Sequence, residues 1–199
     1  MQQPKDTDTV GTKQRILTAG VELFRRSGYT GTGMKQIAEA AGAPFGSIYH
    51  FFPGGKVQLG EEVIRTSGAV YLGLVAEHLY PHEDRAAATA AFFTAAADTL
   101  TELDFANPCP IATVALEVAG TNERLRTATA EVFDNWITGL AAYYAAGGLP
   151  EPLARDTASS VLALLEGAFM LARAARSTAP VLTAGIAAAA IVRAALAGE

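Results

Sequence analysis

Apolar positions recur at intervals of three and four along most of the chain. No run alternates with period two for long enough to make a strand, so the pattern predicts an all-α fold of about nine helices. The pattern is sharpest over residues 34–56, MKQIAEAAGAPFGSIYHFFPGGK. Met34, Ile37, Ala38 and Ala41 fall at i, i+3, i+4 and i+7, one apolar stripe on a helix of two turns. Gly42 can stop that helix in the left-handed conformation, and Pro44 suits the first turn of the next. In that next helix Ile48, Phe51 and Phe52 point one way, whereas Phe45, Gly46, Tyr49 and His50 point the other. Two short helices joined by a glycine turn, the second divided into a packing and a presenting face, form a helix-turn-helix pattern. Such a second helix enters a DNA major groove.

Around this stretch the pattern predicts further helices. One runs from about Thr12 to Ser27 on a stripe of Leu17, Val21 and Phe24, with Gly28 as its cap. Thr32 or Gly33 must cap the helix that follows. Later helices are expected from Lys56 to about Leu79, Asp84 to Leu103, Pro110 to about Ala119, and about 123 to 144, the last capped by Thr121 or Asn122. Two more are expected near 151–176 and 181–197, parted around Pro180, and Asn107-Pro108-Cys109-Pro110 reads as a turn. The domain reading is a flexible tail over 1–11, a helix-turn-helix domain over 12–55, and a larger helical domain over 56–199.

Charge changes this picture once it is divided. The net charge of −5 hides an asymmetry: residues 1–66 carry eight Lys/Arg and six Asp/Glu, and the remainder seven and fourteen. A small basic end on an acidic body is the distribution expected of a DNA-reading head. Catalysis has little to stand on. His50, His78 and His82 show no zinc-ligand spacing with the single cysteine, Cys109. Gly54-Gly55-Lys56 lacks the spacing of a phosphate-binding loop, and no G-x-S-x-G nucleophile motif occurs. No catalytic residue, metal site or cofactor is expected. One cysteine excludes an internal disulfide and suits a reducing cytosol, and the N-terminus lacks a signal-peptide core. The most apolar stretch, Ala184 to Ala197, is short and carries Arg193, so a packed helix is expected there and no membrane partner.

AGAPFGSIYHFFPGGK after MKQIAEA, with a preceding ELFRRSGY, closely resembles the TetR family of bacterial transcriptional regulators over residues 12 to about 60. The two-glycine PGGK turn and NPCPIATVALEVAG at 107–120 resemble its LmrA/YxaF-type branch. The resemblance implies a cytoplasmic homodimer that binds a near-palindromic operator in double-stranded DNA. It implies that Pro44, Phe45, Gly46 and Ser47 approach base edges, and that Tyr49 meets phosphate or a thymine methyl with His50 beside it. Thr32, Gly33 and Lys35 would meet the DNA backbone, and Lys56 would pin a phosphate at a helix start. Two positions depart from the family: Phe45 replaces a polar or basic residue, and Gly33 a capping Ser/Thr.

The resemblance further implies that the last two helices form the subunit interface. Leu162, Leu165, Phe169 and Ala172 would supply one face, and Ile186, Ala190, Arg193 and Ala194 the other. The middle helices would enclose an effector cavity, with Phe93, Leu116, Phe133, Trp136, Tyr143 and Phe169 as candidates for its wall. Few charges interrupt these helices, so a small apolar or aromatic effector is expected, releasing a repressor from its operator. The alternatives are a transcriptional activator, a ligand-binding helical protein with a vestigial head, and an enzyme.

Overall fold

The computed structural model describes residues 6–106 and 109–198, with residues 6–10 as backbone only. Among the described residues it contains nine helices and no strand. They are α1 (Asp6–Ser27), α2 (Met34–Ala40), α3 (Phe45–Phe51), α4 (Gly55–Leu79), α5 (Arg85–Glu102), α6 (Pro110–Val118), α7 (Glu123–Ala146), α8 (Glu151–Ala175) and α9 (Ala179–Ala197). Two boundaries differ from the sequence pattern. The first helix begins at Asp6, so residues 6–11 are helical and only 1–5 of the expected tail lie outside the described residues. A lone glycine such as Gly11 costs a helix only about 1 kcal/mol and need not start it. Pro180 likewise lies in the first turn of α9, where a proline is tolerated. Asn107 and Pro108 of the expected turn lie outside the described residues.

The chain packs as two compact units. The first holds Met1–Ser67 with Pro110–Val132, the second Gly68–Cys109 with Phe133–Glu199. The division therefore falls inside α4 and inside α7, whereas the sequence pattern places a boundary at 55/56. Packing supplies the reason. Leu59 and Val63 of α4 are buried against α1 so closely that a Cβ on Gly20 would sit 2.8 Å from Val63 Cγ2. Gly60 approaches Tyr29 and Leu125 in the same way. α6 also packs on α1, and Glu117 accepts a 2.6 Å hydrogen bond from the Thr30 backbone N–H. Gly28 must be glycine: its φ is +71°, and a Cβ there would collide with the Glu117 carboxylate.

In the second unit α9 packs against both α5 and α8. Alanines make the approach close: Ala88 and Ala97 of α5, and Ala184 and Ala188 of α9, are all buried. A Cβ on Gly185 would lie 2.6 Å from Phe93 Cβ. Asp84 caps α5 by accepting from the Ala86 and Ala87 amides at 2.9 and 3.0 Å. Asn122 caps α7 through the Leu125 amide at 3.1 Å, while the Thr121 hydroxyl turns back to the Glu117 carbonyl. The face of α8 turned to the core carries Ala158, Val161, Leu165 and Ala172. This corrects two expected interface residues. Leu165 and Ala172 are buried within the chain, because theirs is the stripe that the packing of the unit consumes. On α9, Ile186, Ala190 and Arg193 are exposed and Ala194 is half-buried.

Candidate nucleic-acid interface and ligand cavity

Three sets of contacts hold α2 and α3 in place. Ile37, Ala38, Ala41, Ile48 and Phe52 are buried together with Ile16 and Phe24 of α1. Arg15 on α1 donates from Nε to the Ala41 carbonyl at 3.1 Å, fixing the C-terminal end of α2. Gly42, at φ +57°, reverses the chain while the Ala43 amide returns to the Ala38 carbonyl at 3.0 Å. Pro44 then occupies the N-cap position of α3. Once Ile48 and Phe52 are buried, the helical period leaves Phe45 and Tyr49 outside, 49 % and 48 % exposed. Their rings meet edge to face at 5.5 Å. Pro44, Gly46 and His50 are not buried either, and Ser47 is half-buried, so this presenting face is the one the sequence pattern predicts. Phe51 differs, being only half-buried, with the His50 ring 5.0 Å away.

The flanking residues divide. Lys35 is exposed, its ammonium 3.8 Å from Glu39, a weak pairing that a phosphate can displace. Thr32 is a correction: it is 1 % exposed, and its hydroxyl donates to the Gly28 carbonyl at 2.7 Å and reaches the Leu23 carbonyl at 3.2 Å. That side chain fastens the α1–α2 connection and has no donor left for DNA. Gly33 is the N-cap of α2, and its amide donates to Gln36 Oε1 at 2.7 Å, so that N–H is satisfied internally. Lys56 stands in the first turn of α4 with its ammonium 4.4 Å above the Tyr29 ring. Burial lowers its pKa, and the nearby Glu117 charge partly offsets that. Lys13 is paired with Glu62 at 2.6 Å.

The second unit contains a cavity of about 240 Å³ walled by α4, α5, α7 and α8. Of the residues expected in such a wall, Trp136 and Phe169 line it. Trp136 is oriented by donating from its indole N–H to the Gly68 carbonyl at 2.8 Å. The other four do not line it. Phe93 is fully buried where α5 meets α9, and Tyr143 is buried with its hydroxyl donating to the Leu79 carbonyl at 3.1 Å. Phe133 packs behind Trp136, ring centroids 5.7 Å apart, and is not in the wall. Leu116 lies on α6 in the first unit and is 80 % exposed. Aromatic size marks burial but not which side of a helix meets the void. Leu162, expected at the subunit interface, is also a wall residue, so it and Phe169 face inward.

Sequence reasoning missed Glu166, the only acid among the described residues of the wall. Burial pushes its carboxyl up to about 7, and a hydrogen bond from the Cys109 thiol partly offsets that rise. The signal was available: one acid stands inside the otherwise apolar run Val161 to Phe169. Among the described residues no three His, Cys, Asp or Glu side chains gather in a way that would hold a metal ion.

Fold and geometry together define an all-helical regulator of the helix-turn-helix class. Comparison with known proteins makes this specific. Residues 16–63 match the bacterial regulatory proteins of the tetR family, and residues 86–187 match the LmrA/YxaF-like transcriptional regulator C-terminal domain. The chain is 30 % identical over 170 residues to the HTH-type transcriptional regulator LmrA of Bacillus subtilis, covering 85 % of this chain and 90 % of that protein. It is 32 % identical over 179 residues to an uncharacterized HTH-type transcriptional regulator of Mycobacterium tuberculosis, covering 85 % and 88 %. A TetR transcriptional regulator from Chloroflexus aurantiacus superposes with a TM-score of 0.77 at 27 % identity, covering 94 % of this chain and 96 % of that one. The chain belongs to the TetR family of DNA-binding transcriptional regulators, in its LmrA/YxaF-like branch. Members of this family are regulators and not enzymes.

Proposed function

We propose that the protein is a cytoplasmic homodimeric repressor that leaves a near-palindromic operator when a small apolar or aromatic molecule enters the second unit. The observation that carries this reading is the 240 Å³ cavity with Trp136 and Phe169 in its wall. At the head we assign base-edge contact to Pro44, Phe45, Gly46 and Ser47, and backbone contact to Tyr49, His50, Lys35 and Lys56. Phe45 has no donor, so its preference is for a thymine methyl. So few phosphate contacts make one head weak, and two heads one DNA turn apart compensate.

The outward faces of α8 and α9 support a second copy as the partner. Both helices are long and apolar enough, by length and composition alone, to cross a membrane. In this fold one face of each packs inward, while Met170, Leu171, Leu182 and Ile186 stay exposed. An apolar patch on two adjacent helices of a DNA-binding regulator is a contact surface. We therefore assign the interface to that outer face, together with Ala190, Arg193 and Ala194. The ligand acts by binding the DNA-incompetent arrangement better than the other, and α4 is the segment we assign to carrying the change.

The test is a gel shift on a duplex selected from genomic DNA, followed by a compound screen. Aromatic compounds should release the duplex from the natural protein. An Ala96→Phe variant, which fills the cavity, should hold the same duplex without release. Release unaffected by Ala96→Phe would remove the cavity from the mechanism, and a reporter gene silenced on deletion of the regulator would make it an activator.

A further inference from the structure

The cavity wall is mostly apolar, and Glu166 is its one acidic residue among those described. Its described residues include no Lys or Arg, and Tyr71, Phe92, Trp136 and Phe169 supply four aromatic faces. Glu166 enters it from α8, and its neighbours one turn away, Leu162, Ala163, Phe169 and Met170, carry no charge. The Cys109 thiol donates a hydrogen bond to it, and no cationic group of the wall helps to hold its ionised form. A carboxyl in this setting costs stability, because burial removes water and nothing of opposite charge replaces it. An acid so placed in a cavity is fitted to an incoming cation.

We propose that the cavity takes a ligand combining a compact aromatic body with a protonated nitrogen, and that Glu166 receives that nitrogen. This rests on reading the cavity as the effector site. Nitrogen and carboxylate exchange solvation for a charge-assisted hydrogen bond, and the aromatic wall favours a cation further. Size narrows the class: an apolar void of about 150 Å³ holds a benzene ring. A cavity of about 240 Å³ therefore holds one ring with a short amino chain.

Trp136 is the only tryptophan of the chain and stands in the wall, so its fluorescence reports occupancy directly. Benzylamine, 2-phenylethylamine and 3-phenylpropylamine are titrated beside the alcohols of the same length, in the natural protein and in Glu166→Gln. At least one amine should bind about tenfold or more tightly than its alcohol, a gap of about 1.4 kcal/mol. Glu166→Gln should erase the gap while still binding the alcohol. In the natural protein the amine affinity should also rise between about pH 6 and pH 8 as the carboxyl gives up its proton, and in Glu166→Gln it should not. The other groups in the wall that titrate are Tyr71 and His78 on α4 and Cys109. The walls from α5 and α7 supply none. Both proteins retain these groups, so a pH effect that persists in Glu166→Gln belongs to them and overturns the assignment. Equal binding of amines and alcohols overturns the role of Glu166 and leaves the effector cavity standing. Binding of neither overturns both.

Discussion

The presenting face of α3 and the cavity wall of α8 solve opposite problems. At the head, many polar groups near the presenting side are already occupied. The Thr32 hydroxyl and the Gly33 amide are bonded internally, Lys13 is paired with Glu62, and Lys56 lies over Tyr29. The outer face carries the aromatic pair Phe45 and Tyr49 with His50 beside them, and Lys35 is exposed on α2. In the second unit Phe93 and Tyr143 are buried, Trp136 and Phe169 face the cavity, and one carboxyl is held where water is scarce. Several cations and donors of the head are thus already engaged within the chain, and for that reason the proposed reading of DNA takes two copies. The body holds an acid with no cation beside it in an apolar place, which fits it to respond to a ligand.

The largest expected effect breaks the comparison at its packing. Gly28→Val forces a side chain into φ +71° and into Glu117, and should cost the first unit about 2–4 kcal/mol. Gly185→Val, pressed against Phe93, should cost the second unit about 1–3 kcal/mol. Urea denaturation separates them, since Trp136 fluorescence follows the second unit and circular dichroism follows both. Gly28→Val should move the dichroism transition more than the fluorescence transition.

The next effect lies in pH. Burial raises the Glu166 carboxyl from the ordinary 4.5 to about 7. The unfolded chain gives up this proton first, so the destabilisation is absent below about pH 4.5 and complete above about pH 7. Glu166→Gln should stabilise the protein by on the order of 2 kcal/mol at about pH 8 and leave it unchanged near pH 4, read by urea denaturation. Smaller again is Tyr49→Ala, expected to weaken binding to a selected duplex about tenfold, or 1.4 kcal/mol, without changing the melting of the protein. The smallest is Lys35→Ala, which should lower the salt slope of DNA binding by about 0.9, the share of one neutralised phosphate. Lys13→Ala, already paired with Glu62, should not change that slope.

The sequence pattern is informative where a period alone decides the answer. Burying Ile48 of α3 and Phe52 at its C-cap leaves only one arrangement for Phe45, Gly46 and Tyr49, and the structure has it. Helix ends are legible where a cap announces them, as at Asp84 and Asn122. Residues that depend on what a helix meets across space are not. Phe93 and Phe169 look alike in sequence, yet one is sealed against Gly185 and the other faces the void. Leu165 and Ala172 lie on an apolar face that would suit a partner subunit as well as it suits the core of the chain. Thr32 looks like a phosphate donor until its hydroxyl is seen to be bonded to the Gly28 carbonyl. Glu166 is inconspicuous because a lone acid on a long helix is ordinarily a solvated one.

At the centre of the proposal stands a head with few free phosphate contacts that works only in pairs and reads sequence through Phe45. Selection of bound duplexes from a random pool, with the full chain, tests this most directly. It should enrich a near-palindrome whose half-sites lie about 34–36 Å apart, with thymine favoured at a fixed place in each half, and Phe45→Ala should lose that thymine. Enrichment of a single unpaired half-site, or the same duplex selected unchanged by Phe45→Ala, would contradict it.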